Sequence, residues 1–548
     1  MARAADSLPI EERIERITAI FNTFRDPDKE TVLTPWRVVN MHLSDSLGGY
    51  VFFDESFEKQ LLEPRYVNQG QVTSETLGIS SKVLEVNSKS GLYPLYVAYS
   101  IYQSRLYADK LSEVKLTLSR KQKIWDQVLT ENLFVICKTP MAKSITKRTL
   151  MGFRSGRINA HYFENLTNTL KYKPQQFIDR ISRPKCWGLK GHDKMKFDAI
   201  VGNPPYQEET AKQESKSNGQ APRTSVFQYF QQSADHISSG VTSLIYPGAR
   251  WIHRSGKGMA QFGLEQINDV HLKRIDFYPD AQDIFKDVAI ADGLSIVFKD
   301  VRKTEPGFEY AYHKNGTVTT VNMEPPGEDL IPLNPQNETI VEKVVQFVES
   351  NNLNFLHDRI LPRNLFGIES NFVEENPALV TEFSNSTTVD YPTEIKLFTN
   401  DKAGKAGRAK WYIANKNVIA SEAQKYIKEW QVVVSSANAG GQKRDNQIAI
   451  IDNHSAFGRS RVALGSFKTK EEAENFFAYA QTPLIKFMFL MTDESLTSLG
   501  KKVPDLMDYS ANCQYIDFSD NLNAQLYDLI GLTRDEISFI ESAIKPME

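Results

Sequence analysis

The segment Phe197-Asp198-Ala199-Ile200-Val201-Gly202 is an apolar, strand-like run that stops at Asn203-Pro204-Pro205-Tyr206. Pro204 and Pro205 each remove a backbone donor and fix φ, so the Asn203 side chain and the carbonyls beside it are held rigidly with acceptors left over. Such a site suits an NH2 group. An exocyclic base amine or a side-chain amide can give both hydrogens to the Asn203 side-chain oxygen and the Pro204 carbonyl while Tyr206 stacks on the flat face. A strand end closed by an Asn-Pro turn is the plainer alternative. A turn alone does not require the second proline, the aromatic and the preceding strand together.

The tetrapeptide resembles motif IV of the amino-methylating DNA methyltransferases, which move a methyl group from S-adenosylmethionine to adenine N6 or cytosine N4. Upstream, the stretch from Ser81 to Tyr93, with Glu85, Asn87 and Gly91, looks like their motif I, a strand ending in an acid followed by a glycine turn and a helix. A tight turn at the carboxyl end of a strand lets a ligand approach the backbone just ahead of a helix N-terminus. Lys89 stands where the family often has its first glycine. Further upstream, Thr34-Pro35-Trp36-Arg37-Val38-Val39-Asn40-Met41 resembles motif X. Thr34 is expected as N-cap, Pro35 at the first helical position, and Val38, Val39 and His42 at helical spacing. The order X, I, IV is that of the γ class, the TaqI-like and type IIG-like adenine methyltransferases of restriction–modification systems.

Downstream, Gly240–Gly248 is similar to motif VI, and Arg274–Phe298 resembles motif VIII, which nominates Phe285 as the aromatic that packs on an extruded base. Flipping a base costs a few kcal/mol, and two aromatic faces recover much of it. A buried core role for Phe285 is an equal alternative. Two family positions differ: Asn132–Pro140 has no carboxylate at the end of the second strand, and after the third strand Asn159, His161 or Tyr162 takes the place of an Asp. The resemblance thus implies a catalytic set of Asn203, Pro204, Pro205, Tyr206 and Phe285. The implied cofactor-binding set is Thr34, Pro35, Glu85, Asn87, Gly91, Asn159 and His161, with no metal. Adenine N6 is expected as acceptor because the γ class mostly uses it. Accepting both its hydrogens localises a lone pair otherwise delocalised into the ring.

The 548 residues exceed one domain, and 41% apolar with 24% charged residues is ordinary globular composition. Cys137, Cys186 and Cys513 lie far apart, against a disulfide scaffold or zinc finger, and no apolar run reaches a membrane span, so a cytoplasmic protein is expected. The net charge is −3, yet residues 141–196 and 401–461 are rich in Lys and Arg. The second stretch interleaves glycines, Trp411, Tyr412 and Trp430, a composition suited to phosphates and base edges, although a charge run is more often a solvated face.

The expected fold is α/β: an N-terminal helical segment (1–30), a Rossmann-like methyltransferase sheet with helices on both faces (31–320), a domain at 330–530 that the resemblance implies is an α+β target-recognition domain, with a plain β-rich accessory domain as the alternative, and a helical tail (531–548). The polar stretch Gln207–Arg223 reads as an active-site loop. Double-stranded DNA is the expected partner, together with a separate nuclease or helicase subunit, cleavage being expected from another chain or from a segment outside this one. Two other readings are a catalytically silent DNA-binding or specificity subunit, and an Asn-Pro-Pro-Tyr methyltransferase acting on RNA or a protein glutamine.

Overall fold

The computed structural model describes residues 3–23, 33–209, 223–286, 290–314, 316–384, 386–404, 407–441, 445–492 and 495–544. The chain divides into two compact units. The first comprises Met1–Gln213, Ala221–Trp251 and Ala260–Asp329, and the second Glu214–Gln220, Ile252–Met259 and Leu330–Glu548.

A nine-stranded mixed sheet flanked by helices organises the first unit. Its strands are β1 (Val83–Ser88), β2 (Leu133–Cys137), β3 (Ala160–Tyr162), β4 (Phe197–Gly202), β5 (Ser238–Pro247), β6 (Leu272–Tyr278), β7 (Leu294–Asp300), β8 (Phe308–Lys314) and β9 (Thr317–Met323). Their spatial order is β9-β8-β6-β7-β5-β4-β1-β2-β3. The five strands from β5 to β3 run parallel, and β7 runs antiparallel to both its neighbours. Every residue of β1 and β2 is buried, as expected where helices cover a parallel sheet. From β1 the chain moves outward to β2 and β3, then returns to place β4 on the other side of β1. This reversal opens a crevice at the carboxyl ends of β1 and β4, where ligands bind in open α/β sheets.

Helices α1 (Ile10–Phe21), α2 (Trp36–Ser46), α3 (Leu92–Leu111), α4 (Leu118–Glu131) and α5 (Pro140–Met151) share the main core of this unit with β1 and β4. The side chain of Arg13 on α1 is 2% exposed and donates to the Leu150 carbonyl at 2.8 Å and the Thr149 carbonyl at 3.0 Å. A guanidinium at the carboxyl end of α5 satisfies carbonyls that the helix leaves open. Among the described residues no helix is long and apolar enough to cross a membrane.

The second unit is α+β. A four-stranded sheet (Val380–Glu382, Ala409–Asn415, Glu394–Asn400 and Ser455–Phe457 in spatial order) encloses one core. A three-stranded sheet (Ala449–Ile451, Trp430–Ser435 and Arg461–Phe467) and helices such as Glu338–Ser350 and Lys470–Gln481 enclose another. The segment expected as a separate tail forms the helix Arg534–Ala543, whose Ile540 is fully buried in that second core. The segment Ile252–Met259 also belongs here: His253 Nε2 lies 3.1 Å from the Ile331 carbonyl, and Gly256 N donates to Thr497 Oγ1 at 3.1 Å.

Candidate active site

Strand β4 delivers Asn203 to the carboxyl edge of the sheet. Gly202 takes φ +148°, and a Cβ there would lie 2.6 Å from the Val86 carbonyl, so only glycine lets β4 end this close to β1. Asn203 is 3% exposed; its Nδ2 donates to Thr34 Oγ1 at 3.0 Å, and its backbone carbonyl accepts from Asn87 Nδ2 at 3.0 Å. The Asn203 Oδ1 atom is buried without a hydrogen-bond partner, and among the described residues no donor reaches the Pro204 carbonyl. These are the two acceptors expected from the sequence, and a buried unpaired acceptor is costly unless something else pairs it.

Pro204 and Pro205 are buried, and the Tyr206 ring is half-buried. The Tyr206 hydroxyl turns inward without a partner, near the Asn203 side chain but outside hydrogen-bonding geometry; burial raises its pKa and Asn203 draws it back. The Tyr206 carbonyl accepts from Val226 N at 3.1 Å, and Gln207–Glu209 pairs with Arg223–Ser225. Residues 210–222 of the expected active-site loop lie outside the described residues.

The first-strand turn stands beside this loop. Glu85 is 5% exposed, with Oε2 buried and unpartnered; burial pushes its carboxyl up to about 8, against the pull of Ser88 and Lys89. Asn87 takes φ +69°, which turns the backbone and lets its amide reach the Asn203 carbonyl. Gly91 carries a packing constraint of its own. At φ +80° it starts α3, and a Cβ there would meet Thr146 Cα at 3.0 Å and Thr149 Cβ at 3.1 Å. Its glycine is demanded by the close approach of α5, which also ties the turn through Thr149 Oγ1 to the Ser90 carbonyl at 2.5 Å and Ser88 Oγ to Thr146 Oγ1 at 2.9 Å.

The N-cap of α2 is corrected, and the remaining residues of the expected sets lie as follows. Pro35, exposed and extended at φ −61° and ψ 153°, is itself the N-cap of α2, and Thr34 uses its hydroxyl on Asn203 instead of on the helix. Asn159 precedes β3, and its Nδ2 donates to the Thr130 and Leu133 carbonyls at 2.8 and 3.0 Å. That places it at the amino end of β2, opposite the crevice, with its amide nitrogen held by the backbone and its Oδ1 accepting from Arg157 Nη2 at 3.2 Å. His161 is half-buried on β3, edge-on to Trp187 at 5.0 Å between centroids, and burial lowers its pKa. Phe285 is 2% exposed, packed with Val38, Ile245, Ile284, Leu294 and Ile296, and Tyr206 packs against the same cluster. The structure brings Phe285 to the site as a buried wall. A cleft of about 610 Å³ opens beside it, its lining including Arg37, Met41, Tyr278, Ile296 and His313.

Sequence reasoning placed His42 at helical spacing with Val38 and Val39 but gave it no role. It is 1% exposed, with Nδ1 2.8 Å from the Tyr93 hydroxyl and Nε2 2.7 Å from Ser243 Oγ. A histidine at an otherwise apolar helix position was the available signal.

Several cations of the basic stretches are engaged within the protein: Arg157 with the Trp187 carbonyl, Lys410 with Glu382, Arg459 with Glu369, and Arg461 over the Phe398 ring. Trp411 stacks on Phe398 at 4.8 Å. Lys405, Lys443 and Arg444 lie outside the described residues.

Residues 131–285 match the Eco57I restriction-modification methylase family. The match contains Asn203, Pro204, Pro205, Tyr206 and Phe285 and begins after Thr34, Glu85 and Gly91. No curated protein matches the chain. Among solved structures, a type I restriction–modification system is 12% identical over 62% of this chain and 55% of its own, with a TM-score of 0.32. The methyltransferase subunit of a type I restriction-modification system from Streptococcus thermophilus is 12% identical over 56% of this chain and 54% of its own, TM-score 0.31. The DrdV–DNA complex is 10% identical over 91% of this chain and 59% of its own, TM-score 0.42. This chain spans little more than half the length of these proteins.

Proposed function

We propose that this protein is a site-specific DNA methyltransferase that transfers a methyl group from S-adenosylmethionine to adenine N6, as the modification component of a restriction–modification or related defence system. The observation that carries the reading is the buried Asn203 Oδ1 followed by the Pro204 carbonyl, both without a hydrogen-bond donor among the described residues, at the switch point of the sheet. Two acceptors side by side suit the two hydrogens of an exocyclic amine. Thr34 Oγ1 and Asn87 Nδ2 clamp the Asn203 amide and backbone carbonyl, so the acceptors are fixed before a base arrives. Tyr206, half-buried against the Phe285 cluster, offers a ring face for an extruded base. The site supplies acceptors and orientation, and positioning accounts for much of the rate.

The residues at the first turn fit S-adenosylmethionine in part. Glu85 Oε2 is buried and, among the described residues, unpartnered on β1, and Asn87, left-handed at φ +69°, turns the backbone just beyond it, so these two would hold it. When bound, that cofactor supplies an electrophilic methyl group. Lys89 in place of the first glycine, the Asn159 amide bonded to carbonyls at the far edge of the sheet and the acid-free end of β2 make binding to the free protein weak and favour completion of the pocket by DNA. The same features favour a second reading, a catalytically silent DNA-binding subunit. The second unit, in this proposal, recognises the target sequence, with cleavage left to another chain or to a segment outside this one.

Labelled-methyl incorporation into DNA by wild type, Asn203→Ala and Tyr206→Ala tests the chemistry: wild type transfers methyl, both variants fold and transfer none. A variant that keeps near-wild-type incorporation removes the assigned chemistry. Calorimetry with S-adenosylmethionine, with and without DNA, separates the readings, since no binding in either case leaves the silent subunit.

A further inference from the structure

His42, Tyr93 and Ser243 form a buried hydrogen-bonded node below the crevice. The imidazole joins the Tyr93 hydroxyl at 2.8 Å to Ser243 Oγ at 2.7 Å, and the Tyr93 ring stands edge-on to it at 5.5 Å and 85°. Each member sits on an element that also carries part of the site. Helix α2 follows Thr34. Tyr93 lies two residues past Gly91 on α3. Ser243 on β5 pairs with Val201 of β4, two residues before Asn203. Burial pushes the His42 pKa down to about 3, so the ring is neutral and one nitrogen donates while the other accepts. Burial, and after it the nearness of the Tyr206 and Glu85 acids, pushes the Tyr93 hydroxyl well above its ordinary range, so it stays protonated between the two halves of the site.

We propose that Tyr93, held by His42 and Ser243, is a positioning residue that fixes the spacing between the Glu85 turn and the Asn203 loop, an inference that rests on the methyl-transfer reading above. Apolar helix packing tolerates small slides, whereas a fully satisfied buried polar node accepts one geometry and loses its bonds in others. The reaction needs donor and acceptor held to a fraction of an ångström, so this spacing sets the rate. Neither His42 nor Tyr93 touches the base in this scheme.

The test uses Tyr93→Phe and Ser243→Ala, each of which deletes one oxygen from the full-length protein. Tyr102→Phe serves as control, because it removes an equally buried hydroxyl from α3 that has no hydrogen-bond partner among the described residues. Expected is a fall in kcat for DNA methylation on the order of 10–100-fold in both node variants, with KM for S-adenosylmethionine and for DNA kept within about twofold. The double variant should lose no more than the worse single variant, as for groups acting as a unit. Tyr102→Phe should keep wild-type kcat. The proposal is overturned if both node variants stay within about threefold of wild-type kcat, or if loss of activity simply follows loss of Tm across all three variants. Active node variants beside an inactive Asn203→Ala refute the node alone, and a wild type that transfers no methyl refutes both readings.

Discussion

Replacing Glu85 with glutamine should stabilise the protein by an amount that grows with pH. In the folded state burial pushes the Glu85 carboxyl up to about 8 from its ordinary 4.5. Between these values the folded chain keeps a proton that the unfolded chain releases, so stability is fully present below about 4.5 and is lost as pH rises toward 8. Each pH unit in that window removes up to about 1.4 kcal/mol. At pH 7 the accumulated cost has an upper limit of roughly 3 kcal/mol, and glutamine, nearly isosteric and never charged, does not incur it. Thermal unfolding of wild type and Glu85→Gln, followed by tryptophan fluorescence from pH 5 to pH 8, should show a Tm gap that widens steadily to several degrees in favour of the variant. A gap independent of pH, or a wild type that gains on the variant as pH rises, would mean that the carboxylate is ionised and paired in the fold, and the buried-acid argument fails.

Gly91→Ala should lower stability by about 1–3 kcal/mol, because φ is +80° and the new Cβ would press on Thr146 and Thr149; an unchanged Tm would contradict the close approach of α5. Thr34→Val removes the acceptor for Asn203 Nδ2 without changing shape, so methyl transfer should fall about tenfold or more while Thr34→Ser retains it; equal rates in the two would show that the clamp does not matter. Truncation after Asp329 should yield an aggregating fragment, because Ile252–Met259 loses its partners at Ile331 and Thr497, and a monodisperse soluble fragment would refute that.

Local chemistry was legible in the chain itself. Prolines at 204 and 205 delete donors wherever they occur, so a rigid acceptor loop at Asn203 followed from covalent structure alone, and the apolar runs of β1, β2 and β4 announced a buried sheet. Roles that depend on what lies across the fold were not. Gly91 looks the same whether it makes room for a ligand or for Thr146, and Asn159 the same whether it faces the crevice or caps carbonyls at the opposite edge of the sheet. Likewise the partners of Thr34 and His42 are separated from them by 169 and 201 residues, at Asn203 and Ser243. A sequence specifies which groups can bond and how stiffly the chain presents them. Which of two possible partners each group meets is decided only when distant strands come into register, because that choice is set by packing, not by the residue's own chemistry.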